Sequence, residues 1–175
     1  MIAMICHSKV VVCDTREKPK AIVKLTKQIE DMGYKIIRSK MYVGDYKLID
    51  NPYIVVDRKQ NLQELIGNVT HDHQRFKNEI QRANDIGIKV YVLVEHSNQI
   101  HSIDDLRFWH NPRIKVSPRA TTGTTLIKIL KTMEMLYDVQ FLFCSKKQTG
   151  TRIIEILERG YDETIKNKRI DQIKD

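Results

Sequence analysis

Two segments of almost unbroken apolar character, Lys89–Glu95 and Val139–Cys144, constrain the fold of this chain more than any other feature. A strand with one solvent-exposed face alternates apolar and polar side chains, whereas a strand that is covered on both faces is apolar throughout. Each segment has the length of a strand and is rich in β-branched or aromatic residues. We therefore expect both to be strands of a sheet that helices cover on both faces.

Amphipathic segments alternate with these strands along the chain. Gly33 is predicted to end the first helix, and Asn61 with Glu64 to begin the second through a capping box. The predicted strands are 9–13, 35–49, 53–59, 89–95 and 139–144, and the second and third form an antiparallel hairpin. The predicted helices are 19–32, a short one from 61, 72–86, 102–111, 122–137 and one from 151. The expected fold class is α/β, a mixed central sheet flanked by helices on both faces.

The charge of the chain favours a polyanionic partner. Lysine and arginine number 30 against 22 acidic residues, which gives a formal net charge of +8. A positive surface raises the local concentration of phosphate groups, so a nucleic acid is the first partner to consider. Composition alone leaves an ordinary solvated surface equally open, because many soluble proteins are mildly basic.

The cysteines and the apolar segments bear on location. Cys6, Cys13 and Cys144 are odd in number and far apart, and two of them lie in apolar runs, as is usual for free thiols in a reducing compartment. The apolar start at 1–5 is too short for a signal sequence, and no segment approaches the length of a membrane span. We expect an intracellular protein, cytoplasmic or nucleoid-associated, or nuclear in a eukaryote, without a membrane segment.

Two carboxylates and one lysine are expected to converge on the predicted hairpin. Asp57 and Lys59 are two positions apart on one strand, so they project from the same face about 7 Å apart, with Arg58 on the opposite face. Asp45 follows Gly44 on the partner strand, where glycine permits a bend or bulge that redirects the carboxylate. Mg²⁺ is commonly held by one or two carboxylates with water and phosphate oxygens. An exposed strand edge with a cross-strand ion pair is the simpler explanation of the spacing alone.

The motifs of this chain resemble those of the XPF-type nuclease domain, a restriction-endonuclease-like branch of the PD-(D/E)XK superfamily. Members of that family open with Val-Asp-x-Arg-Glu, and residues 12–17 here keep the Asp, the Arg and the Glu. Their central signature is Gly-Asp, a spacer, Glu-Arg-Lys and a further Asp shortly after the Lys. Gly44-Asp45 and Asp57-Arg58-Lys59 correspond to it. The resemblance extends over about 10–144 and implies a restriction-endonuclease-like fold.

The resemblance also implies a metal-dependent DNA endonuclease that acts at branched or flapped DNA in repair or recombination. Mg²⁺, or Mn²⁺ in its place, would be held by Asp45 and Asp57 with Asp14 as a third acid, and Lys59 would complete the catalytic set. Supporting roles follow for Arg16, Glu17, Arg58, Glu64 and Arg75. For Asp14, a turn residue before the charges of a helix start is an equal alternative.

Two positions depart from the pattern of the family. Asp57 replaces the usual Glu, and since Asp occupies that position in many members of the wider superfamily, we expect the function to be retained. Gln63 stands where the trailing Asp is expected, and its neighbour Glu64 has a simpler role in the capping box. The sequence leaves open whether either residue replaces the missing acid. It also leaves open a catalytically inactive DNA-binding module of the same fold.

Basic side chains outside the motifs are candidates for contacts with the DNA backbone. They are Arg75, Arg82, Arg113, Lys115, Arg119 and Lys128. A helical ion pair with Glu79 is the alternative role for Arg75, and a solvated loop is the alternative for the segment 113–119.

The nuclease domain is expected to span 1–160, with 161–175 as a charged helical extension or tail. That tail is too short for the tandem helix-hairpin-helix module that usually follows an XPF-type nuclease domain. Such domains often pair, so we expect a homodimer or a complex with a related subunit. A doubly wound nucleotide-binding domain is the more distant alternative, because the first strand and helix lack the glycine-rich loop that it requires.

Overall fold

Strands and helices alternate along the chain as the sequence predicts. The structure, a computed structural model, describes residues 8–96 and 99–159, so Cys6, the apolar start and the segment 161–175 lie outside the described residues. The strands are β1 (Val10–Cys13), β2 (Lys35–Arg38), β3 (Tyr46–Leu48), β4 (Asn51–Lys59), β5 (Lys89–Glu95) and β6 (Val139–Cys144). The helices are α1 (Pro19–Asp31), α2 (Leu62–Val69), α3 (His73–Asp85), α4 (Gly123–Leu136) and α5, residues 149–159. Short 3-10 helices span Ile103–Phe108 and Pro112–Lys115.

The strands form one mixed sheet in the order β2-β1-β3-β4-β5-β6. The pairs β1–β2, β4–β5 and β5–β6 are parallel, and β3 is antiparallel to both of its neighbours. Parallel neighbours need a crossover, and helices supply it in each case. The α/β prediction with a mixed sheet is therefore confirmed.

Helices cover both faces of the sheet with two separate hydrophobic clusters. Val55 and Val92 belong to the cluster beneath α2, α3 and α4, whereas Val56 and Leu93 belong to the cluster beneath α1 and α5. Neighbouring residues enter different clusters because successive side chains of a strand point to opposite faces. This double burial explains the unbroken apolar run of β5. Within the described ranges, every helix falls short of the length or the apolar character that a membrane crossing requires.

The helix boundaries follow from capping residues. Gly33 has a φ of 84° and its N–H donates to the carbonyl of Glu30, which ends α1 as predicted. The side chain of Asn61 accepts a hydrogen bond from the N–H of Glu64 at 2.9 Å, and the Glu64 carboxylate accepts one from the N–H of Gln60 at 2.7 Å. The predicted capping role of Glu64 is thus confirmed. Its carboxylate accepts from the N–H of Gln60, the residue before the N-cap Asn61.

The prediction of one long strand at 35–49 is wrong. β2 pairs in parallel with β1 at the sheet edge, residues 39–45 cross the carboxyl end of β1, and only Tyr46–Leu48 pairs with β4. Apolar and polar residues alternate through 39–45 as they would in a strand, because Met41 and Val43 are buried there without belonging to one. The hairpin is therefore shorter than predicted, and its turn begins before Asn51.

Two smaller boundaries also differ from the predictions. The basic segment after Asn111 is not entirely a loop, because the Asn111 side chain accepts a hydrogen bond from the N–H of Arg113 and starts the 3-10 helix Pro112–Lys115. The last helix begins at residue 149 rather than 151.

Candidate active site

Asp57 and Lys59 meet at the carboxyl end of β4, on the face that α2 and α3 cover. The Nζ of Lys59 lies 2.9 Å from Oδ2 of Asp57, and both side chains are nearly buried. The same Nζ is 5.3 Å from the centre of the Phe76 ring on α3. The ammonium is therefore held by a carboxylate on one side and an aromatic ring on another.

A bend at Gly44 brings Asp45 towards this pair. Gly44 has a φ of 68°, and a Cβ there would lie 3.0 Å from Cβ of Val55, so this position requires glycine on both counts. The N–H of Asp45 donates to the carbonyl of Val56 at 2.8 Å, and its Oδ2 accepts from the N–H of Arg58 at 2.8 Å. Asp45 is thereby fixed next to the strand that carries Asp57.

The two carboxylates are electrostatically coupled. Burial raises the pKa of Asp45 well above its ordinary value, and the adjacent Asp57 adds to this effect against the hydrogen bond from Arg58. Burial alone would lower the pKa of Lys59, but Asp57 and Asp45 outweigh it and raise that pKa. Asp45 therefore resists carrying a charge in this cluster, where it lies beside Asp57 and the Lys59 ammonium.

Asp14 lies beside Asp45, since its N–H donates to the Asp45 carbonyl at 2.8 Å. Its buried carboxylate accepts from the N–H groups of Arg16 and Met41, each at 2.7 Å, and from the Arg16 guanidinium at 2.8 and 3.1 Å. Burial would raise the pKa of Asp14, but these hydrogen bonds outweigh it and lower the pKa. The Asp14 carboxylate is charged and hydrogen-bonded to Arg16 and to the N–H of Met41. Its role as a third metal ligand stays a prediction.

Arg58 points to the opposite face, as the strand spacing predicts. Its guanidinium contacts Glu17 at 3.1 and 3.2 Å and Glu95 at 2.9 Å, and all three side chains are at least nine-tenths buried. Glu95 also accepts a hydrogen bond from the hydroxyl of Thr149 at 3.1 Å. This network ties the carboxyl ends of β4 and β5 to the starts of α1 and α5.

The remaining predicted site residues lie on the surface. Arg75 is exposed and pairs at 3.4 Å with Asp72, the N-cap of α3, rather than with Glu79. Arg82, Arg113, Lys115, Arg119 and Lys128 are also exposed. These cations are accessible to a ligand, and contact with DNA stays a prediction for each.

The metal-ligating capacity of the cluster is small. In the part of the chain that the structure describes, no three His, Cys, Asp or Glu side chains are grouped closely enough to hold a metal ion by themselves. Asp45 and Asp57 can supply carboxylate oxygens, and water and phosphate would have to complete the shell. That donor set fits Mg²⁺, which keeps several waters and takes few protein ligands.

Residues 13–157 match the family model of the ERCC4 domain. The chain belongs to the ERCC4 domain family. The resemblance to XPF-type nuclease domains is thereby confirmed, and the match includes the Asp14, Gly44-Asp45 and Asp57-Arg58-Lys59 motifs.

The ERCC4 domain described here is also similar to solved structures of an archaeal protein. XPF from Aeropyrum pernix has 17% identity and a TM-score of 0.57, with 86% of this chain and 61% of that chain covered. XPF from Aeropyrum pernix in complex with DNA has 15% identity and a TM-score of 0.61, with 88% and 66% covered. This chain thus spans less than two thirds of those chains, and at such identities the likeness concerns the fold. No curated protein matches the sequence significantly.

Several residues of the ERCC4 domain site were missed by sequence reasoning. Glu95 and Thr149 complete the Arg58 network, and the Phe76 ring lies beside Lys59. For Glu95, the sequence offers one indication of a buried contact, which is a charge at the end of an apolar strand. Such a charge needs a buried partner. The other two contacts join distant segments and left no local pattern.

Proposed function

We propose that this ERCC4 domain is a metal-dependent endonuclease that hydrolyses phosphodiester bonds in DNA. The observation that carries the proposal is that Asp45, fixed by the N–H of Arg58 at 2.8 Å, lies beside Asp57, whose carboxylate holds the Lys59 ammonium at 2.9 Å. Two crowded carboxylates are relieved when a divalent cation binds between them. Their oxygen-only chemistry suits Mg²⁺, with Mn²⁺ as a substitute.

Asp45 and Asp57 would hold the metal, which supplies an activated water and charge neutralisation at the scissile phosphate when bound. Lys59 offers a fixed positive charge to the phosphate oxygens on which negative charge develops. Asp57 keeps that ammonium charged and oriented, and the Arg58 N–H orients the Asp45 carboxylate. Direct metal binding by Asp14 would require the Arg16 guanidinium to release the Asp14 carboxylate.

The DNA part of the proposal rests on charge and exposure. The chain carries a formal net charge of +8, and the exposed cations are suited to phosphate contacts along a duplex. These cations are Arg75, Arg82, Arg113, Lys115, Arg119 and Lys128. Branched or flapped DNA of repair and recombination is the proposed substrate by analogy with the family.

Pairing with a second copy or a related subunit belongs to the same proposal. Met135 and Leu136 are 75% and 61% exposed at the end of α4, where apolar side chains would gain from burial. Light scattering of the purified chain measures its mass, and a monomer at all concentrations would remove the homodimer from the proposal.

Cleavage of labelled duplex, single-stranded, flap and fork DNA with Mg²⁺, Mn²⁺ or EDTA tests the activity. Asp57→Asn and Lys59→Met are expected to bind DNA and to cut it far more slowly than wild type does with metal. Asp31→Asn is the matched control, because Asp31 is an exposed acid on α1, the helix on the opposite face. Binding without cleavage by wild type would instead identify a DNA-binding module, and absence of binding would contradict a nucleic-acid function.

A further inference from the structure

A buried asparagine ties the basic segment of the chain to the helix that follows β4. Asn111 is 4% exposed, and its Oδ1 accepts from Nε2 of Gln63 at 2.7 Å and from the N–H of Arg113 at 3.0 Å. Its Nδ2 donates to the carbonyl of Thr121 at 2.8 Å. The Asn111 side chain thus joins both ends of the segment 112–120, which is mostly exposed and which we name the basic loop.

Close packing fixes both ends of the basic loop. At Gly123, in the first turn of α4, a Cβ would lie 2.0 Å from the carbonyl oxygen of Leu106 and 3.0 Å from that of Trp109. The start of α4 is thus in backbone contact with the chain just before Asn111, and only glycine fits there. The basic loop is held at its base before any ligand binds.

Gln63, the anchor of the basic loop, is near Asp45, Asp57 and Lys59, the proposed catalytic cluster. Gln63 follows Lys59 by four positions, so their main chains are at most about 14 Å apart. A DNA strand advances about 3.4 Å per nucleotide, which makes this distance roughly four nucleotides. The base of the basic loop is therefore within several nucleotides of Lys59, and Arg113, Lys115 and Arg119 are suited to phosphates flanking the one that Lys59 would contact.

The amide of Gln63 is what makes the anchor possible. Its Nε2 donates to Asn111, and its Oε1 is buried with no hydrogen-bond partner among residues 8–96 and 99–159. A carboxylate at this position would have no N–H for Asn111 and would bury a charge without a donor. The departure from the family motif at position 63 thus coincides with a specific contact that an acid could not make.

We propose that Gln63 and Asn111 are a positioning pair that sets the basic loop on the DNA relative to Asp57 and Lys59. The inference rests on the proposed DNA cleavage, and neither residue of the pair contacts the reacting phosphate. A loop that is ordered in advance loses less conformational freedom on binding. Loss of the pair therefore weakens DNA binding and raises KM, and it leaves kcat nearly unchanged.

Gln63→Glu tests the pair because it keeps the size of the side chain and removes the N–H. Without metal, the Kd for duplex DNA is expected to rise about tenfold, since one ordering hydrogen bond has a free energy of about that size. KM rises by a similar factor, and hydrogen exchange of a peptide covering 112–120 becomes faster. Gln140→Glu adds the same charge at an exposed position on β6 and is expected to change none of these values.

Asn111→Asp is the second variant, since it keeps the acceptor for Gln63 and Arg113 and loses only the donor to Thr121. Faster exchange of 112–120 with a raised KM is again expected. If Gln63→Glu instead cuts faster or binds Mg²⁺ more tightly with unchanged exchange, position 63 serves the metal and the pair is refuted. If wild type fails to bind DNA, the proposed function fails, and unchanged exchange in both variants would separately refute the anchoring role.

Discussion

Arg58→Ala is expected to lower the stability of the fold more than any surface charge change. Arg58 is 2% exposed and neutralises Glu17 and Glu95, whose side chains are 9% and 8% exposed. Removing the shared cation leaves two buried carboxylates without a countercharge, a change that costs about 3–5 kcal/mol. For a chain of this size that corresponds to a fall in Tm of about 6–20 °C.

Urea unfolding followed by circular dichroism measures this loss. Lys27→Ala is the matched control, because Lys27 is 75% exposed in its pair with Asp31 and its removal is expected to change stability by less than about 1 kcal/mol. Arg58→Lys should fall between the two, since one ammonium cannot contact both carboxylates as the guanidinium does. If Arg58→Ala unfolds at the same urea concentration as Lys27→Ala, the buried network does not exist as described.

Three further predictions concern the catalytic cluster and the basic loop. Because the pKa of Asp45 is raised in the folded state, this carboxyl should lower the stability of the metal-free protein as the pH rises above the ordinary aspartate value of 3.8, and Asp45→Asn should remove that contribution. Thermal unfolding between pH 4 and pH 8 without metal checks it, and a steeper loss in the variant would contradict it. Lys59→Met should lower kcat about 10²- to 10³-fold with little change in DNA affinity, as single-turnover cleavage and a binding titration would measure. Replacement of Arg113, Lys115 and Arg119 by Gln should reduce the salt dependence of DNA binding by about three phosphate contacts, and an unchanged slope would place the DNA elsewhere.

Local patterns were sufficient to predict most of the elements. β5 and β6 have the predicted bounds, and the caps at Gly33 and Asn61 are where turn chemistry required them. Asp57 and Lys59 share a face because a strand repeats every two residues. These features depend on neighbours within a few positions, so the sequence contains all the information they need.

Contacts between distant segments were beyond local reasoning. The sequence pattern of 39–45 resembles that of a strand because Met41 and Val43 are buried in the cluster beneath α2, α3 and α4. The Gln63 to Asn111 hydrogen bond joins residues 48 positions apart, and each residue by itself is an ordinary polar side chain. The resemblance identifies Asp14 as an acid of the motif. It does not indicate that the Arg16 guanidinium donates hydrogen bonds to both oxygens of that carboxylate.

The alternation of β4 also restricts how this chain can vary in length. Inserting or deleting one residue in β4 before Asp57 would turn every later side chain to the other face. Arg58 would then face Asp45, and Asp57 and Lys59 would turn towards Glu17 and Glu95. Length changes are therefore expected to be better tolerated at the turn before Asn51, where the backbone leaves the sheet between β3 and β4. A linker or tag inserted at that turn keeps the alternation of β4, whereas one inserted inside β4 disrupts both of its faces together.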